Sequence, residues 1–448
     1  MKRMTKTALM LLVMLVCVSI SAQASDDGHN VRMHNDSIAA NLERRANAYY
    51  SDVNSQYEAG AFLADSVGQY KKALRYFVRG LALAQEQYGD YSQPYATGLV
   101  HAGNVYSRLG QYNEALKLLF KALDVFENGF GLDHPDVVMA YLNIGLIYSL
   151  FGDYDKALDY SNKALDIDEK IGELAGPGIA TIEEYIGNIY SEKGDYSMAQ
   201  QKLHKALDIR EKAFGPEHPL IAEVYCSIGQ VYTNQSNYDK ALEYLWDALS
   251  IQEKNLNPEH DAIATILTLI GNIYAGQGKN ETSLKYYNRA LDIYLKSLGA
   301  EHPQVAVANY NYGNVLCSIG QYDKALERYF NALSVFEEIY GLENINAAKV
   351  NTNIGYIYCQ KHNYNKAIPY ILSAKDAFEK NVGVNEKLKA ELYFNLSTTY
   401  YHLKNYKVAL EYSNKALMAA TNSYGPNHKF TKQVKSNVDS LKAFLKQN

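Results

Sequence analysis

The sequence predicts an all-α fold: an α-α superhelical solenoid of about nine helix hairpins, closed by a C-terminal capping helix. Three observations predict it. Glycines fall on a strict 42-residue grid at Gly89, Gly131, Gly215, Gly299, Gly341, Gly383 and Gly425. A second row on the same beat runs Gly103, Gly145, Gly187, Gly229, Gly271, Gly313 and Gly355, usually with a tyrosine three residues on. Between these rows apolar residues recur at three- and four-residue steps, the spacing of one face of a helix. A period kept over 336 residues without insertion or deletion marks stacked repeats, and overrides the two or three globular domains that 448 residues otherwise imply.

The chain opens with Lys2, Arg3 and Lys6, an apolar run over residues 8–20 and the small-x-small site Ala22-Gln23-Ala24, so residues 1–24 read as a secretory signal peptide. The apolar run is well short of the ~20 residues that span a bilayer, which sets a retained anchor aside. Cys17 follows Val16, where lipidation needs a small residue, which sets a lipoprotein aside. The expectation is export, to a periplasm or outside the cell. Removing 1–24 takes away three positive charges and no acids, moving the net charge from -5 to -8, a balance that disfavours nucleic acid. No later segment is apolar and long enough for membrane insertion. Cys226, Cys317 and Cys359 remain, an odd and widely spread set that makes no disulfide framework.

Residues 25–53 hold a leader over 25–35 and an N-terminal capping helix over 36–50. Nine 42-residue units follow over 54–431. The first is degenerate, with Ala61 and Ala64 in place of glycine and tyrosine. In the unit that begins at Pro135, Val138, Tyr141, Leu142, Gly145 and Tyr148 mark one helix, and Gly152-Asp153 breaks it. Ala157, Leu158, Ser161, Ala164, Leu165 and Asp168 then mark a second. Small residues at Gly145, Ala157 and Ala164 allow helices to approach at the short end of the usual ~8–10 Å. Such a hairpin cannot bury its stripe alone, so hairpins stack on a shared core. The sixth unit carries Asn280 and Ser283 where others have tyrosine and alanine. Over 432–448, Val434, Val438, Leu441 and Leu445 make a stripe, continued back to Phe430, with lysines elsewhere around the helix: a solvating cap.

The joints read "FGLDHP" at 130–135, "FGPEHP" at 214–219, "LGAEHP" at 298–303 and "YGPNHK" at 424–429. The glycine is expected to end a second helix in a left-handed turn, the histidine to cap the next helix and the proline to open it. Asn257 takes one grid point as the other residue that tolerates a left-handed backbone, and Gly172 stands one place early at another. His134, His218, His260, His302 and His428 share this position, which sets neighbours ~10 Å apart. Zinc needs its donors within ~2.1 Å of one point, so these histidines hold no metal. With no phosphate loop, carboxylate pair or Ser-His-Asp set, the sequence points to no enzyme and no cofactor.

The rows written "IGNIYSEKGDYSMAQQKLHKAL" at 186–207 resemble the tetratricopeptide repeat (TPR), and the 42-residue length with the joint "ALDIREKAFGPEHPLIA" at 206–222 is similar to its kinesin-light-chain type. The resemblance covers about residues 54–448. It implies a binding scaffold whose concave face, lined by the first helix of each pair, takes a peptide or protein partner. One inward row is then Asn104, Leu146, Asn188, Gln230, Asn272, Asn314 and Tyr356. The second is His101, Asn143, Tyr185, Ser227, Leu269, Asn311, Asn353 and Asn395. Carboxamides dominate, and each offers a donor and an acceptor to the backbone of an extended peptide; alternatively they satisfy inter-helix backbone groups and solubilise the groove. Most of the forty tyrosines fall on structural rows; Tyr310 and Tyr356, with Phe394, are the inward exceptions.

The family's clamp for a C-terminal carboxylate is matched by Asn314 and Asn353 only. Tyr310, Glu391 and Asn395 stand where its basic residues belong, so that clamp is not expected, and Lys349 and Arg108 are isolated positives. The leading expectation is a non-enzymatic envelope scaffold holding a peptide or protein segment in its groove. A self-associating element that uses its flanks, and a sensory input module, are the alternatives.

Overall fold

The computed structural model describes residues 52–65, 68–171, 176–380 and 386–447, together with residues 38, 40 and 42. The expected signal peptide and leader, Gly172, Gly383 and all but three positions of the expected 36–50 helix lie outside the described residues. Two compact units divide the chain, Met1–Ala308 and Asn309–Asn448. Among the described residues the elements are helices joined by short turns, without a strand.

Unit 1 contains α1 (Val53–Asp65), α2 (Tyr70–Tyr88), α3 (Gln93–Arg108), α4 (Tyr112–Phe130), α5 (Pro135–Phe151) and α6 (Tyr154–Ile171). It continues with α7 (Pro177–Lys193), α8 (Tyr196–Phe214), α9 (Pro219–Asn234), α10 (Tyr238–Asn255), α11 (Asp261–Gly276) and α12 (Asn280–Ser297). Helix α13 (Pro303–Ser318) runs from unit 1 into unit 2. Unit 2 goes on with α14 (Tyr322–Tyr340), α15 (Ile345–Gln360), α16 (Tyr364–Lys380), α17 (Glu386–His402), α18 (Tyr406–Tyr424) and α19 (Lys429–Gln447).

Odd helices pair with the even helix that follows, from α1/α2 to α11/α12 in unit 1 and as α15/α16 and α17/α18 in unit 2. In unit 1 the second helices from α2 to α10 also pack on the first helix of the next hairpin, and in unit 2 α14 packs on α15, α16 on α17 and α18 on α19. First helices touch one another directly, α1 on α3, α3 on α5, α7 on α9, α9 on α11 and, in unit 2, α15 on α17, and no two second helices pack as closely. Within each unit first helices therefore lie side by side as one layer. Glycine makes the approach within a hairpin possible: a Cβ at Gly187 would stand 2.8 Å from Leu203 Cγ. Helix α19 begins three residues earlier than position 432 and seals the end by burying Thr431, Val434, Val438 and Leu441.

At the joints His134, His218, His260, His302 and His428 each accept, through Nδ1, the backbone N–H two residues on at 3.2 Å. Asn344 does the same at its joint. The ring nitrogen thus satisfies one of the orphan donors of a helix start. The grid glycine departs from expectation. Gly215 has φ 84 and ψ 163, and Gly131 and Gly341 match it, so φ is positive as expected but ψ is extended rather than left-handed helical. That region belongs almost exclusively to glycine. Asn257 accordingly does not imitate it. There the chain leaves α10 through Leu256 at φ -120, and Asn257 uses Oδ1 to accept the N–H of Glu259 instead.

Candidate functional site

The predicted inner residues lie on the first helices as follows. Asn104 (α3), Asn143 (α5), Asn188 (α7), Gln230 (α9) and Asn272 (α11) are all half-buried in unit 1. In unit 2, Tyr310 and Asn314 (α13), Asn353 (α15) and Asn395 (α17) are half-buried, Asn311 is buried and Tyr356 is exposed.

Several of these amides are held by the scaffold. In unit 2, Tyr329 of α14 donates its hydroxyl to Asn314 Oδ1 at 2.8 Å, and Asn353 Nδ2 donates to the same oxygen at 2.8 Å. Asn353 Nδ2 also donates to the Tyr329 hydroxyl at 3.2 Å, and the Tyr310 ring packs beside that of Tyr329 with centroids 6.0 Å apart, burial pushing its hydroxyl up to about 12. Asn314, Tyr329 and Asn353 therefore form one hydrogen-bond network, with Tyr310 packed against it. In unit 1, Tyr287 of α12 donates to Asn272 Oδ1 in the same way. An amide whose oxygen is pinned on one side turns its N–H₂ to the other. Gln230 Nε2 donates to Asn234 Oδ1 at 3.0 Å and Asn143 Nδ2 to the carbonyl of Met139 at 2.9 Å, which are bonds within their own helices. Asn104, Asn311, Tyr356 and Asn395 are not drawn into the unit 2 network.

Tyr287 and Tyr329 are partners that sequence reasoning missed. They occupy a second-helix row that elsewhere holds Phe77, Leu119, Leu203, Leu245, Ile371 and two serines, Ser161 and Ser413, and they lie beneath Gly271 and Gly313. Two long phenol side chains in a row of otherwise shorter or apolar residues were the available signal.

A second missed feature is a buried charge cluster beneath Asn188. Arg210 of α8 is 2% exposed and meets Glu184 of α7 at 2.9 Å and Glu223 of α9 at 3.4 Å. It also donates to the Leu220 carbonyl at 2.9 Å and to Thr181 Oγ1 at 3.3 Å. Ser227 Oγ donates to Glu184 at 2.8 Å and accepts, at the long limit of 3.5 Å, from Asn188 Nδ2. Two carboxylates share one guanidinium, so burial, and then the charge of Glu184, push Glu223 up to about 8 against the pull of Arg210. Lys349 corrects an expectation too. It is no open positive of the groove but 4% exposed, its Nζ without a hydrogen-bond partner, and burial lowers it to about 8.

Among the described residues, no group of three His, Cys, Asp or Glu side chains could hold a metal ion, and no helix is long and apolar enough to cross a membrane. Cys226, Cys317 and Cys359 are free thiols.

A family model described as "Tetratricopeptide repeat" matches residues 52–127, 94–170, 178–254, 262–338, 304–380 and 346–422. The apo form of the quorum sensor NprR from B. thuringiensis is similar at 17% identity, over 77% of this chain and 94% of its own, with a TM-score of 0.49. BtubC (BKLC) from P. vanneervenii is similar at 20% identity, over 50% of this chain and 90% of its own, with a TM-score of 0.44. The kinesin light chain nearly identical TPR-like repeats of Podosopora anserina are similar at 19% identity, over 45% of this chain and 95% of theirs, with a TM-score of 0.38. No curated protein matches the chain. At these identities the likeness to solved structures is one of fold alone.

Proposed function

Because the chain belongs to the tetratricopeptide repeat family, whose helical repeats mediate protein–protein interaction, we propose that it is a non-enzymatic scaffold of the cell envelope that holds an extended protein segment along its first helices. The observation that carries this reading is the set of amides oriented by second-helix tyrosines: Asn314 and Asn353 by Tyr329 in unit 2, Asn272 by Tyr287 in unit 1. Pre-set amides lose little entropy on binding a peptide backbone, which is how preorganisation raises affinity. A protein partner suits the net charge of -5 better than a nucleic acid does, and the apolar run of residues 8–20 supports export.

The test begins with the 25–448 chain, crosslinked in envelope extract to identify the partner. Asn272→Ala, Asn314→Ala and Asn353→Ala together should weaken its binding at least tenfold while helical circular dichroism is kept. Unchanged affinity sinks the groove reading, and a secreted reporter fused to residues 1–24 that stays in the cytoplasm sinks the envelope assignment.

A second reading, self-association through the flank, is favoured by Phe120, Trp246 and Phe330, which share one second-helix position and are all exposed. Trp246 is the only tryptophan. A blue shift of its emission with rising concentration, matched by sedimentation, supports that reading; a concentration-independent monomer ends it.

A further inference from the structure

One joint of unit 1 is buried where its equivalents are not. His302, Pro303 and Gln304 are buried, whereas His134, His218 and His260 and the two residues after each are half-buried or exposed. The cover comes from the other end of the same unit, more than five repeats away in sequence. A Cβ at Gly68, in the turn between α1 and α2, would stand 2.7 Å from Pro303 Cδ and 3.1 Å from His302 Cδ2. Tyr70 is buried, whereas Tyr112, Tyr154, Tyr196 and Tyr238 at the same repeat position are half-buried. Arg108, at the end of α3, has its guanidinium 5.8 Å from the Tyr70 ring centroid and also acts on His302. Unit 1 therefore closes on itself, and glycine at position 68 is what the closest approach requires.

We propose that this seam is an acid-opened latch, in which Gly68, Tyr70 and Arg108 close over the His302–Pro303 joint and protonation of His302 releases it. His302 uses Nδ1 to accept the N–H of Gln304, so it is unprotonated there when the seam is shut. A proton taken from solvent at that nitrogen removes the cap and places a second cation against Arg108 in a buried site. Lys71 and Lys72, next to Tyr70 on α2, carry the same sign; Glu301, the neighbour of His302 in the chain, is exposed.

Burial, then Arg108, lowers His302 from 6.5 to about 3 in the closed seam. Once open, the joint has the exposure of its equivalents and the imidazole returns towards its ordinary value. The linkage has one sign. Closure is fully favoured above 6.5, and the closed-to-open ratio falls about tenfold for each unit of pH between 6.5 and 3. From pH 7 to pH 5 the fall is about 25-fold.

Hydrogen exchange of the full chain, corrected for intrinsic rates, reads this directly. Amides 304–308 should exchange more slowly at pH 7 than 136–140 or 220–224, and their protection relative to amides 346–350, whose Asn344 cap does not titrate, should drop about 25-fold at pH 5. His302→Asn keeps a capping side chain of the kind Asn344 supplies, and should stay protected at both pH values. Gly68→Asn tolerates the φ of +70 yet thrusts a side chain at Pro303, and should lose the protection at both with circular dichroism unchanged. Equal exchange of the three joints at pH 7 overturns the seam. Loss at pH 5 that persists in His302→Asn overturns the histidine as its trigger, and that variant decides the matter even if Gly68→Asn fails to fold.

Discussion

Among the described residues each unit buries one lysine or arginine, and the two are treated in opposite ways. Arg210 in unit 1 is surrounded by two carboxylates, a hydroxyl and a carbonyl, whereas Lys349 in unit 2 has no hydrogen-bond partner at all. A guanidinium cannot give up its proton, so the surroundings must adapt to it, and it is Glu223 that retains a proton. An amine can adapt, and burial draws Lys349 down to about 8. Identity of the cation, not depth of burial, decides which group bends.

The largest effect follows from removing the arginine. Arg210→Ala leaves Glu184 and Glu223 facing each other in the interior, and breaking a buried pair costs about 3–5 kcal/mol. Urea denaturation of the variant should show that loss in midpoint. Replacing Arg210, Glu184 and Glu223 together by Met, Leu and Leu should return stability to within about 1 kcal/mol of the parent or above it, since apolar packing commonly equals a buried ion cluster. If the single change costs nothing, the cluster is not buried in solution.

Lys349→Met should act in the opposite direction. It keeps the stem and removes an amine whose charged form is penalised, so the variant should be about 2 kcal/mol more stable at pH 7. A destabilised Lys349→Met would mean that the amine has a partner worth more than its burial costs.

How much of this was legible in the sequence depends on which rule reads each residue. The helix pairs were legible because glycine, proline and histidine mark joints through backbone conformation, which needs no tertiary contact to be argued. Arg210 was not. It stands at the repeat position held by Phe126, Asp168, Phe336 and Phe378, all buried, and periodicity places that position on the packed stripe without saying what could pair a charge there. Its partners come from two other helices, α7 and α9, which spacing along one helix cannot join. The inner amides show the same limit. Their place on the first helices was legible, but the tyrosines that orient Asn272 and Asn314 reach them from the opposite helix of the hairpin. Asn257 failed for a different reason: the joint demands an extended ψ at positive φ, and tolerance of a left-handed turn does not extend that far.

The comparison sharpens most finely against pH. Glu223 is raised from 4.5 to about 8, so in the folded chain it keeps a proton that the unfolded chain has lost. Its contribution is full below 4.5 and is lost as pH rises to 8. Lys349 is lowered from 10.5 to about 8, so between those values the unfolded chain holds the extra proton, and stability recovers as pH rises. Together they place a minimum near pH 8, with limbs of at most about 1.4 kcal/mol per pH unit. Glu223→Gln should flatten the acid limb alone and Lys349→Met the alkaline limb alone, each followed by urea unfolding from pH 5 to 10. A variant that flattens both limbs would couple the two cations, which their separate surroundings in the two units give no reason to expect.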